Sequence, residues 1–125
     1  MMSVRNYRDL VAWQRAMEFV EAVYELSRQF PSDERFALTN QLRRAAVSVP
    51  SNIAEGEGRF SKADFNRFLS MALGSLREAE TQVEIAIRLN YCDAAAARRS
   101  QELADETGKL IRGISKSLTR STDNL

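Results

Sequence analysis

Between Phe65 and Ile87 apolar side chains return every three or four residues for about six helical turns. Phe65, Phe68, Leu69, Ala72, Leu73, Leu76, Ala79, Val83, Ala86 and Ile87 hold one face of a single helix, predicted over 62–90. An apolar face this long has to be buried against other elements. The 125-residue chain has only five glycines and two prolines, too few turn formers for a many-stranded fold. The partners of this helix are therefore other helices. Ser61 is its expected N-cap, with Asp64 placed close to a capping box.

Behind a short arm of residues 1–6, a first helix is predicted over about 7–30. One apolar row on it is Leu10, Trp13, Met17, Val20 and Tyr24; a second is Ala12, Phe19, Leu26 and Phe30. Together they cover nearly half the circumference, wider than the stripe of roughly 100° that a one-sided surface helix needs. Such a helix is either flanked on both sides or shared with another subunit. Phe19, Leu26 and Phe30 read as the surplus row, and so as part of an oligomer interface.

A second helix is predicted over 33–57, with Ser32 as N-cap and Asp33 and Glu34 facing the helix dipole. Its row of Leu38, Leu42, Ala46, Val49 and Ile53 keeps phase straight through Pro50. One helix kinked at Pro50 accounts for that phase, although the lost hydrogen bond costs about 3 kcal/mol unless packing compensates. A split into two short helices near Ser48–Ser51 is the alternative, because the residue before proline avoids the α region. Gly56 and Gly58 are C-cap candidates. Asn90–Asp93 reads as a turn, with Asp93 capping a fourth helix over 94–119 and residues 120–125 fraying. The expected fold is a single all-α domain spanning 1–125: an antiparallel up-down-up-down four-helix bundle with helix 2 kinked at Pro50.

Charge is balanced everywhere. Basic and acidic side chains number four and four in each of 1–31, 32–60 and 61–92, and six and five in 93–125. No segment makes the concentrated basic footprint of a dedicated nucleic-acid binder. Fifteen of the eighteen basic residues are arginine, which suits bidentate contacts to carboxylate or phosphate. The lone Cys92 has no intrachain partner, which fits a reducing cytosol. No run approaches the roughly 18 apolar residues that span a membrane. The expectation is a cytoplasmic protein.

Catalytic constellations are missing. A di-metal carboxylate bundle needs Glu-x-x-His motifs, and the chain has no histidine. Glu78 and Glu84 lie off the apolar face of their helix and Glu80 at its edge. Cys92 lacks a histidine to activate it, and Gly56-x-Gly58 follows a helix rather than the strand a nucleotide fingerprint requires. Neither catalytic, metal nor cofactor-binding residues are expected, and no small-molecule substrate. The suggestive set is a polar row on helix 2: Arg44, Ser48, Asn52, Glu55 and Arg59. It is either a solvated stripe with internal Glu–Arg pairing or a contact row for a subunit or partner.

The stretch RRAAVSVPSNIAEGEGR, preceded by LVAWQRAMEFVEAVYEL and followed by FNRFLSMALGSLREAETQVEIA, resembles the four-helix-bundle proteins associated with intervening sequences in bacterial 23S ribosomal RNA. Similar proteins are homopentamers with a channel along the five-fold axis. A related branch, the accessory protein of diversity-generating retroelements, binds a reverse transcriptase and nucleic acid through a basic surface. The resemblance implies a non-enzymatic, homo-oligomeric scaffold or binding protein whose partner is RNA, a ribonucleoprotein or another protein. The alternative, a helical-bundle enzyme or a small-ligand or metal-binding protein, is disfavoured by the missing histidine and core carboxylates. Near-neutrality departs from the retroelement branch and predicts modest, salt-sensitive RNA affinity, with Arg43, Arg44, Arg59, Arg98 and Arg99 as contacts. Arg43, Arg44, Ser48, Pro50, Asn52, Glu55, Gly56, Gly58 and Arg59 carry over as markers of the family motif.

Overall fold

A computed structural model of the protein describes residues 6–123. Asn6 opens a 3-10 turn over Tyr7–Asp9 through a reciprocal capping box, accepting from the Arg8 amide at 2.9 Å. Leu10 is extended, so helix α1 runs from Val11 to Ser27 rather than continuously from Tyr7 to Phe30. Its end tightens into 3-10-type bonds, Gln29 to Leu26 and Phe30 to Ser27, because Phe30 precedes Pro31 and cannot stay in the α region. Except for Asn6, the expected N-terminal arm lies outside the described residues.

Helix α2 spans Leu38–Glu57, not 33–57. Ser32–Glu34 forms a separate 3-10 turn without a side-chain cap, which corrects the expected role of Ser32. Glu34 acts instead: its carboxylate accepts from the Leu38 amide at 3.2 Å, an orphan donor at the start of α2. Pro50 sits inside α2, which is one helix and not two. The carbonyls of the preceding turn take up side-chain donors. Ser51 Oγ donates to the Val47 carbonyl and Asn52 Nδ2 to the Ser48 carbonyl, both at 2.9 Å.

Helix α3 spans Lys62–Arg88, and Ser61 caps it by accepting from the Asp64 amide at 3.1 Å. Asn90 ends it in the left-handed region, φ 62°. The Tyr91 amide bonds to Ala86 and the Asn90 amide to Ile87, the Schellman pattern. Asp93 then caps helix α4, Ala94–Asp123, through the Ala96 amide at 2.7 Å. That helix extends past the predicted 119; the last part of the expected frayed tail, 124–125, lies outside the described residues.

No strand occurs among the described residues. Packing is cyclic: α1 against α2 and α4, α3 against α2 and α4, with α2 and α3 most extensively apposed. Cross-helix contacts join rising to falling residue numbers. Ser48 meets Ser75 and Gly56 meets Phe65 and Phe68; Glu84 meets Gln101 and Asn66 meets Ser115; Arg15 meets Glu106 and Glu18 meets Arg99. Neighbouring helices in these pairs therefore run in opposite directions.

The core corrects the reading of α1. Phe19, Leu26 and Phe30 are 1%, 3% and 7% exposed, inside the protein's own core with Val23, Leu42, Ile53 and Leu76. They cannot form an oligomer interface. Because α2 and α4 flank α1, their faces close over the Phe19 row. The other row lies at the edge of the core: Leu10, Trp13 and Val20 are partly buried against it, while Met17 and Tyr24 are 40% and 39% exposed.

The two inter-helix connections at one end are tied together by Tyr91, whose hydroxyl donates to Glu34 at 2.6 Å. This bond, with that of the Leu38 amide, holds the Glu34 carboxyl below the usual carboxylate range. A depressed folded value means stability that is present above the ordinary glutamate pKa of about 4.3 and lost as pH falls through the folded value. Tyr91→Phe should therefore lower the melting temperature at neutral pH and lose less than wild type on acidification toward pH 3. Thermal circular dichroism across that range checks it; parallel curves would show that the bond contributes nothing.

Candidate functional site on the α1 and α2 face

Where α1 and α2 lie side by side, their outward rows leave a continuous cleft with two chemically different parts. The first is apolar, about 330 Å³, between Trp13, Met17 and Val20 of α1 and Val47, Pro50 and Ala54 of α2. Tyr7 closes one end, edge-on to Trp13 with ring centroids 5.3 Å apart. The capped 3-10 turn puts Tyr7 there.

The second part is larger, about 590 Å³, and is basic and aromatic: Tyr24, Arg35, Phe36, Asn40, Arg43 and Arg44 line it. Val47 belongs to both parts, so they run into one another. Because α2 starts only at Leu38, Arg35 and Phe36 stand on an irregular connection and project outward. Phe36 is 86% exposed, and the Arg35 guanidinium lies 5.1 Å from its ring centroid. Arg43 is held: its Nε donates to Ser27 Oγ at 2.8 Å and its guanidinium lies over the Tyr24 ring at 4.6 Å. Arg44 is exposed.

No carboxylate lines this part of the cleft. Among the described residues none of Arg35, Arg43 and Arg44 forms an ion pair, whereas Arg15, Arg59 and Arg99 all do. Glu34, on the same connection, is engaged with Tyr91 and Leu38. The local positive charge is therefore uncompensated although the protein as a whole is nearly neutral.

The expected polar row on α2 is divided by the fold. Arg44 faces the cleft. Ser48 reaches the cleft wall but shares a 2.6 Å hydrogen bond with Ser75 of α3, and Asn52 braces it, donating to its carbonyl and its Oγ. Glu55 and Arg59 pair with each other at 3.2 Å near the far end of the helix. Gly58 is the C-cap; Gly56 is instead buried inside α2, pressed against Phe65 and Phe68. Of the five arginines expected to contact RNA, Arg59 and Arg99 are paired with glutamates. Arg98 is exposed on α4, which does not pack on α2. Tyr24, Arg35, Phe36 and Asn40 were not expected at the site. Phe36 carried the available signal, a large apolar residue out of phase with the Leu38–Ile53 row.

Elsewhere, no group of three or more metal-ligating side chains forms among the described residues. Cys92 is buried, and burial followed by the Asp93 charge pushes its thiol pKa up, which makes it a poor nucleophile. No helix among the described residues is long and apolar enough to cross a membrane.

A family model of the 23S rRNA-intervening sequence proteins matches residues 8–113, most of the chain. The protein belongs to that family. Both parts of the cleft, except Tyr7, lie within the match. A solved structure supports the same architecture: a protein of unknown function from the S23 ribosomal protein family of Bacteroides thetaiotaomicron is 27% identical. It superposes with a TM-score of 0.77 over 84% of this chain and 98% of its own. No curated protein matches the sequence. Family membership thus fixes the fold without naming an activity.

Proposed function

We propose that this 23S rRNA-intervening sequence family member is a non-enzymatic scaffold that self-associates and holds an RNA or ribonucleoprotein cargo. The observation that carries this reading is the uncovered α1–α2 face. Exposed Met17 and Val47, with part-buried Trp13 and Val20, make an apolar strip over the buried Pro50 that Tyr7 closes at one end, and contiguous patches of that kind mark interaction sites. Burial of this strip against another copy is the simplest way to remove it from water. The ring of five implied by the resemblance requires two different surfaces of each subunit to meet; this strip supplies one. The non-enzymatic half of the reading is supported by composition: the chain has no histidine, and its lone cysteine is buried and hard to ionise.

Val47 is 41% exposed, so Val47→Glu leaves the bundle folded but places a charge in the proposed contact. Chromatography with light scattering should give wild type a mass several times 14.2 kDa, fivefold for a pentamer. The variant should elute as monomer with unchanged circular dichroism. A monomeric wild type contradicts self-association; an unchanged variant oligomer places the interface on another face.

A further inference from the structure

We infer that the basic, aromatic half of the α1–α2 cleft binds a single-stranded polynucleotide, with one base stacked on Phe36 and the flanking phosphates held by Arg35 and Arg44. The inference rests on the cargo half of the scaffold reading and does not depend on self-association.

Three features of the cleft select this ligand. First, the charge is local and free. Arg35, Arg43 and Arg44 converge on one concavity with no carboxylate in its lining and no ion pair among the described residues. An anion placed there displaces no internal partner, unlike one approaching Arg59 or Arg99. Second, Phe36 presents its ring to solvent at 86% exposure, on a connection rather than in a core. An aromatic face beside guanidinium groups is the recurring platform for unstacked bases, and it is tolerant of base identity. Third, the three arginines differ in freedom. Arg43 is pinned by Ser27 and Tyr24 and forms a fixed floor, while Arg44 and Arg35 are exposed, Arg35 resting only against Phe36, and can follow a backbone.

A duplex fits less well. Its bases are already stacked and give Phe36 nothing to cover, and three arginines neutralise few of its closely spaced phosphates. The exposed side-chain amide of Asn40 on the cleft wall suits base edges or a ribose hydroxyl.

The test is fluorescence anisotropy with labelled 12-nucleotide oligouridine and oligodeoxythymidine, a 12-base-pair duplex and a polyglutamate peptide, over a series of salt concentrations. Wild type should bind both single strands more tightly than the duplex or the peptide. Phe36→Ala should weaken single-strand binding about tenfold, within the range seen for base–aromatic stacking, while Phe36→Trp restores it. Arg44→Ala should weaken binding and reduce the salt slope by about 0.7, one phosphate contact on a single strand. Arg98→Ala, on another face, should change nothing. Equal affinity for the two single strands supports the chemistry they share, and a preference for oligouridine supports it with RNA as the source. Wild-type binding that neither Phe36→Ala nor Arg44→Ala alters overturns this site but leaves the cargo reading standing. Tighter binding of the peptide or the duplex overturns the single-stranded ligand. No binding of any oligonucleotide overturns site and cargo together, while the oligomer mass still reports on self-association.

Discussion

Phe19→Glu is expected to unfold the protein. Phe19 is 1% exposed and among the largest fully buried side chains, packed in the cluster that includes Val23, Leu42, Ile53 and Leu76. Truncating a buried phenylalanine alone costs about 3–5 kcal/mol. A carboxylate there also loses its hydration and finds no basic partner, which adds several kcal/mol or forces it to take up a proton. The sum rivals the 5–15 kcal/mol that typically holds a domain together. Far-UV circular dichroism should show a largely unfolded chain at room temperature, in contrast to the folded Val47→Glu variant. A helical, cooperatively melting Phe19→Glu monomer would instead return Phe19 to a subunit interface.

Gly56→Ala should be the most destabilising methyl that can be added at any of the chain's glycines. A Cβ at Gly56 would stand 2.7 Å from the Phe68 Cβ, 3.0 Å from the Phe65 ring and 3.2 Å from the Phe65 carbonyl oxygen. Only the Phe65 ring can turn away. The other two atoms are fixed to the α3 backbone, so α2 and α3 must separate at their most extensive contact. Alanine contributes about 1 kcal/mol of helix propensity over glycine. Overpacking of this kind costs about 1–3 kcal/mol and forces the backbone shift. The net loss should be up to about 2 kcal/mol, seen as a lower urea midpoint. Gly74→Ala is the control, since a Cβ there meets nothing within 4 Å; it should raise stability by about 1 kcal/mol. Equal midpoints for the two variants would show that α2 and α3 can part at Gly56 without cost.

The helices themselves were legible because each apolar row is local. α3 with its Ser61 cap, the Asp93 cap of α4 and the unbroken phase through Pro50 are all set within a few turns of chain. What could not be read was set by neighbours far away in sequence. Both rows of α1 are apolar and equally periodic. Only the flanking α2 and α4 decide that Phe19, Leu26 and Phe30 go inside while Met17 and Tyr24 stay out. Ser32-Asp33-Glu34 has N-cap chemistry that a 3-10 turn uses equally well, so the start of α2 was placed too early and the outward position of Phe36 was missed. Helical spacing put Arg44, Ser48, Asn52, Glu55 and Arg59 in one row. The approach of α3 takes Ser48 out of it through Ser75, and Asn52 follows Ser48. Net charge hid the basic cleft for the same reason: Arg35 on the connection and Arg43 and Arg44 on α2 converge there, and no carboxylate lines it.

The most direct measurement of the central claim, that the α1–α2 face is the surface this protein works with, uses its own fluorophore. Trp13 is the only tryptophan and lines the apolar part of the cleft, half-buried. Wild type should be diluted through its dissociation range while mass, helicity and tryptophan emission are followed together. The account predicts that emission moves to longer wavelength in step with the fall in mass, at constant helicity, as the cleft is returned to water. A fall in mass with emission unchanged would contradict it.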